Sequence, residues 1–144
     1  EGLTYHVIDS EALEVQVVKS KLSNSTIIFP PTVKSEGNEY KVVSISSSTF
    51  SEANISQIET IYFPFTLKDI ESDTFSNFKN LKKIGYIDEE GEKNDDKIPP
   101  LITKLNSNVF SNCQSISSVD LNNVIEVCDY CFQIRLESVK LIFE

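Results

Sequence analysis

"FPFTLKDIESDTF" (residues 63–75) and "IPPLITKLNSNVF" (residues 98–110) are two versions of one phrase. In each, an apolar residue precedes a proline and aliphatic residues follow at three-residue intervals. A phenylalanine closes the phrase five residues after the last of them. Anchoring on that phenylalanine extends the pattern. Phe50 closes "SISSSTF", Phe75 "DIESDTF", Phe110 "KLNSNVF" and Phe132 "EVCDYCF", with Ile45, Ile70, Leu105 and Val127 five residues ahead of them. The tails "SEA", "SNF" and "SNC" follow the first three, and then a pair of apolar residues three apart: "ISQI" (55–58), "LKKI" (81–84), "ISSV" (116–119) and "LESV" (136–139).

The steps between these phenylalanines are 25, 35 and 22 residues. The long step contains "GYIDEEGEKNDDK", which has no apolar rhythm. Treating about twelve residues near 86–97 as a surface insertion returns it to a period of roughly 23, inside the range at which one strand-and-turn unit repeats. Loops accept such insertions at little closure cost.

A segment such as "LKKIGY" or "ISSVDL" alternates, so Ile84 and Tyr86, or Val119 and Leu121, face one side. A strand this short buries nothing alone; stacked on its neighbours it shares a core. The spacing therefore predicts a mostly β solenoid, a right-handed stack of short parallel strands with Phe50, Phe75, Phe110 and Phe132 pointing inward. Pro30, Pro64 and Pro99 each follow an apolar residue that closes a strand, since proline cannot donate to a ladder. The Ser-, Asp- and Asn-rich stretches then suit turns on the opposite side. The amino-terminal part differs. "LTYHVI" and "ALEVQVV" alternate on either side of "DSE" and predict a hairpin, with a later turn at Gly37-Asn38. Residues 1–44 are read as a β cap with the opening repeat, and 45–144 as the repeats. The last segment, "LESVKLIFE", stops just after a strand and leaves an edge for edge-to-edge self-association at the carboxy-terminal repeat.

Composition excludes several functions. The chain of 144 residues carries a net charge of −9, the wrong sign for nucleic acid or an anionic membrane surface. It has no run of the roughly 20 apolar residues needed to span a bilayer as a helix, and it opens on "EGLTYHV", without Met, as a mature or trimmed form would. One histidine and three cysteines cannot build a His-rich metal site or a disulfide scaffold. No nucleophile–base pair, phosphate loop, cofactor motif or metal cluster is written in the chain, so it is read as non-enzymatic.

"FPFTLKDIESDTFSNFKNLKKI" and "IPPLITKLNSNVFSNCQSISSV" resemble the BspA-type (Treponema pallidum-type) leucine-rich repeat, whose pattern is IPxxVxxIGxxAFxxCxxLxxV. The front, "GLTYHVI", "FPPTV" and "GNEYKVVSISSSTF", resembles the opening module of the same family, so the likeness covers most of residues 2–143. The chain departs where the family has glycine: Ser46, Glu71, Asn106 and Cys128 stand there, and the fourth repeat lacks about two residues after Phe132. The resemblance implies an extracellular or cell-surface protein that adheres to host or other cell-surface proteins. It carries over no catalytic residue.

The tempting sites have bland readings. Cys128 and Cys131 spell CxxC without a second pair, and Cys113 sits at the family's own cysteine. All three are read as structural, with a local or inter-repeat disulfide as the rival. The run "DEEGEKNDDK" (88–97) holds six acids and two lysines, −4 of the −9, but lacks calcium-loop spacing and is read as solvated. His6 lies in an alternating strand and is read as structural or exposed. Asn24 and Asn54 begin glycosylation sequons that matter only in a secreting eukaryote. Function is therefore expected on the sheet face. The residues flanking each inward anchor should align in two ladders: Gln57 and Glu59, Lys83 and Gly85, Ser118 and Asp120, Ser138 and Lys140. The competing expectation is that these residues only solubilise a passive spacer.

Overall fold

The computed structural model describes residues 2–132 and 140–142. The chain opens with the expected hairpin, β1 (Leu3–Asp9) antiparallel to β2 (Glu14–Ser20). Asp9 sets its turn by accepting the backbone N–H groups of Glu11 and Ala12 at 3.0 and 2.8 Å. After β3 (Thr26–Ile28) comes a second hairpin, β4 (Thr32–Ser35) and β5 (Asn38–Ile45). Its two turn residues, Glu36 and Gly37, are both left-handed (φ 50° and 83°), as a tight turn between twisted strands requires. The later strands are β6 (Thr60–Pro64), β7 (Asp69–Ile70), β8 (Lys83–Ile87), β9 (Lys93–Asp95), β10 (Lys104–Leu105), β11 (Ser118–Asp120), β12 (Glu126–Val127) and β13 (Lys140–Ile142).

These strands wind as a solenoid with two walls. On one wall β3, β6 and β8 run parallel, and β11 pairs in parallel with β13. On the other wall β2, β5 and β7 run parallel, and β10 pairs in parallel with β12. The register aligns Ile27, Ile61 and Ile84, all buried, so one aliphatic row lines the inside of the first wall. Ile45, Ile70 and Leu105 line the second wall; Val127, their counterpart at β12, is exposed.

The four anchor phenylalanines form one column between the walls. Successive ring centroids are 5.4 Å (Phe50–Phe75), 5.6 Å (Phe75–Phe110) and 5.4 Å (Phe110–Phe132) apart. Phe50, Phe75 and Phe110 are buried, and Phe132 is half-buried. A second pair, Phe29 and Phe63, stacks at 6.0 Å beside the first column, each just ahead of the proline that ends its strand. Among the described residues, no fully buried side-chain nitrogen or oxygen lacks a partner. The inward hydroxyls show why: Thr49 donates to the Val17 carbonyl and Thr74 to the Glu71 carbonyl.

The third side of each turn stacks through its backbone. Asp73, Phe75 and Asn77 donate to the carbonyls of Ser107, Val109 and Ser111 in the next repeat. The family glycines are not missed there. Ser46, Glu71, Asn106 and Cys128 are not left-handed, while Asp73, Asn108 and Tyr130, two before Phe75, Phe110 and Phe132, are. Asp and Asn tolerate that conformation; Tyr does not. Glu71 uses its side chain instead, accepting the Ser47 N–H at 2.8 Å and the Gln16 amide at 3.1 Å.

Two placements differ from the sequence reading. The counterpart of "LKKI" is "IETI" (58–61), not "ISQI": Ile61 stands beside Ile84, and Ile55–Gln57 form a short 3₁₀ turn. The linker from Phe50 to Ile58 is two residues longer than the one from Phe75 to Leu81, and the extra turn absorbs the difference. The insertion, in turn, is not all loop. β9 returns antiparallel along β8, and Lys97 then pairs in parallel with Asp120. Among the described residues β8 and β11 share no ladder, because β9 holds that edge.

Candidate interaction surface

The outward side of the first wall carries two rows. The register gives Thr26, Thr60 and Lys83 in one row, and Ile28, Tyr62, Gly85 and Asp95 in the other. Gln57 and Glu59 were expected here. Both are exposed, but they precede the strand, and Thr60 and Tyr62 take their places. Lys83 is half-buried in its predicted position, whereas Gly85 is buried beside β9. Ser118 and Asp120 are half-buried on β11, where Ser118 pairs with Lys140 in the backbone register; Ser138 lies outside the described residues. The hairpin thus divides the expected continuous ladders into two parts.

Tyr62 is the residue the sequence reading missed. The alternative frame "IETIYF" would have revealed it, since it places Tyr62 beside inward Ile61. Its hydroxyl donates to Asp95 Oδ1 at 2.7 Å, and Lys93 Nζ lies 5.0 Å from its ring centroid. Gly85 sits between Tyr62 and Asp95 in the register and has no side chain to separate them. A Cβ there would lie 2.5 Å from the Asn94 carbonyl oxygen. Burial, then the hydrogen bond and charge of Asp95, push the Tyr62 phenol up to about 12. The same hydrogen bond holds the Asp95 carboxyl below its usual range, helped by Lys83.

The charged residues of this wall are paired with one another. Lys82 meets Glu59 at 3.2 Å, Lys83 meets Asp95 at 3.3 Å and Lys97 meets Asp120 at 3.7 Å. Such solvent-facing pairs add little stability, but they hold the side chains in a mutually neutralising pattern. The cysteines lie elsewhere. Cys113 and Cys131 are buried in the core, and burial pushes both thiols up to about 12, so they stay protonated at neutral pH. Cys113 donates its S–H to the Phe75 carbonyl at 3.1 Å. Among the described residues no three His, Cys, Asp or Glu side chains converge as a metal site would need. Among the same residues no helix is long and apolar enough to cross a membrane.

Residues 43–143 match the family described as the BspA type leucine rich repeat region, in six copies. The chain belongs to that family. This BspA-type protein is similar to a leucine-rich repeat protein of Bacteroides capillosus (TM-score 0.74, 16% identity), covering 97% of this chain and 94% of that one. It is also similar to a leucine-rich repeat protein of Bacteroides ovatus (TM-score 0.71, 21% identity) over 99% of its own length and 36% of the other's. A leucine rich cell surface protein of Faecalibacterium prausnitzii aligns at TM-score 0.56 and 12% identity, over 97% of this chain and 53% of that one. At these identities the likeness shows the fold. The BspA-type chain spans about a third of the Bacteroides ovatus protein and about half of the Faecalibacterium one. No curated protein matches it.

Proposed function

We propose that this BspA-type domain is a non-enzymatic recognition module, acting outside the cell or on its surface to adhere to protein partners through the outward face of its first wall. Solenoids present extended faces of this kind to protein ligands. The observation that carries the reading is the row Ile28–Tyr62, in which Ile28 is open to solvent on an otherwise polar face and Tyr62 lies buried beside it. Ile28 is 48% exposed with its neighbours Thr26 and Thr60 beside it, and Tyr is among the residues that anchor protein interfaces. The extracellular setting is supported by the family and by the cell-surface description of the Faecalibacterium relative.

The test is adherence. Beads coated with the protein are presented to cell monolayers, and bound beads are counted. Ile28→Glu and Thr60→Arg should each reduce binding several-fold, while Lys68→Glu, on the other wall, should not. Equal binding by all three variants rules out this face. The paired charges favour a second reading, a spacer that holds other domains away from a surface. If an inert linker of equal length restores adherence of a parent protein lacking the repeats, the spacer reading holds instead.

A further inference from the structure

The hairpin at 86–97 covers part of the wall just described, and its construction is unlike the rest of the fold. The three residues of β9 are Lys93, Asn94 and Asp95; two are exposed, one is half-buried and none is apolar. β9 therefore contributes nothing to the core. It is held by its antiparallel ladder to Gly85, Tyr86 and Ile87 and by polar side-chain contacts: Asp95 to the Tyr62 hydroxyl and to Lys83, Lys93 to the Tyr62 ring, and Asn94 to Asp88, while backbone bonds between 96–98 and Asp120 anchor the chain just beyond it. Segments with few buried apolar contacts open well before the whole protein unfolds. What this segment covers is not equally polar. Tyr62 is 5% exposed, and its register neighbour Ile28 is already open to solvent.

We propose that the hairpin is a strap that closes over Tyr62, the aromatic anchor of the recognition face, and that its release uncovers a continuous Ile28–Tyr62 patch. The strap is an autoinhibitory contact, and the Tyr62–Asp95 hydrogen bond across Gly85 is its latch. Asp95 is a positioning residue: it acts on the partner-binding face through Tyr62. The proposal rests on the reading that this face binds protein.

The experiment uses the whole chain and two readouts. Asp95→Ala and Lys93→Ala leave the core untouched, and far-UV circular dichroism checks that each variant folds. Hydrogen exchange at the amides of 85–87 and 93–95, and nitration of Tyr62 resolved by mass spectrometry, report the strap directly; Tyr62→Phe assigns the nitrated peptide. Losing the latch should speed both by about tenfold, with Tyr40 and Tyr130 as unchanged internal references. Bead adherence by the same variants should rise several-fold. Unaltered exchange and nitration in both variants overturn the strap. Faster nitration without greater adherence overturns the autoinhibition. Failure of the underlying reading looks different, because then Ile28→Glu binds as well as the parent.

Discussion

Phe75→Ala is the perturbation that probes the column most severely. The ring is buried and touches four others, with centroids at 5.4 Å (Phe50), 5.5 Å (Phe63), 5.2 Å (Phe78) and 5.6 Å (Phe110). Removing it loses the transfer contribution of a buried Phe, about 2–3 kcal/mol. The cavity adds to this, because the neighbouring rings cannot easily move in. The backbone ladder from Asp73, Phe75 and Asn77 to Ser107, Val109 and Ser111 holds the turns at fixed spacing. The expected total is about 4–5 kcal/mol, at the upper end for such truncations. That is a large fraction of the stability of an ordinary domain, and corresponds to a fall in Tm of about 15 °C. Phe132 is half-buried and stacks on Phe110 alone among the described rings, so Phe132→Ala should cost less than half as much. Urea titration followed by circular dichroism measures both. A Phe75→Ala loss below about 2 kcal/mol, or one no larger than that of Phe132→Ala, refutes the shared column.

Three further outcomes are expected. Tyr62 keeps its proton in the folded state up to about 12 and has an ordinary phenol value of 10.0 when unfolded. Between those values the unfolded state binds fewer protons, so its contribution to stability is complete below pH 10.0 and is lost as pH rises toward 12. Tyr62→Phe should flatten the decline in a pH-dependent denaturation series, and an unchanged slope would contradict the burial of this phenol. Gly85→Ala should cost about 1–3 kcal/mol, since its Cβ meets the Asn94 backbone and β9 must shift; full exchange protection of β9 in that variant would show the contact is not tight. Tyr130→Asn should stabilise by about 1 kcal/mol, as Asn relieves the left-handed strain at φ 58°, measurable as a higher Tm.

The column was legible in the sequence because its signal is redundant: Phe75 and Phe110 are each fixed by aliphatic residues at set distances on both sides. The β cap was legible from alternation in β1 and β2. The frame of β6 was not, because Ile55, Ile58 and Ile61 are equally spaced, so "ISQI" and "IETI" satisfy one pattern. Choosing between them needs the longer linker after Phe50, and the wrong choice hid Tyr62 behind Gln57 and Glu59. Beyond β2 and β5 the second wall was invisible as strands, since β7, β10 and β12 are two residues long and take their pairing from neighbours. β9 was hidden for a related reason: Lys, Asn and Asp have little intrinsic preference for a strand, and the free edge of β8 supplies what their side chains do not.

The hairpin also fixes where this array is interrupted. Phe75 and Phe110 stay as close as the ring pairs on either side of them, 5.6 Å against 5.4 Å. On the opposite side β9 extends the sheet past β8, and the residues just after it bond to Asp120 of β11 instead of letting β8 and β11 pair. The break between β7 and β10, spanned by the Asn106 side chain reaching the Ile70 carbonyl, falls at the same level. A long ligand lying along the outer face would therefore meet two separate ladders instead of one. Its footprint would be set by where twelve acidic-rich residues were inserted, not by how many repeats follow.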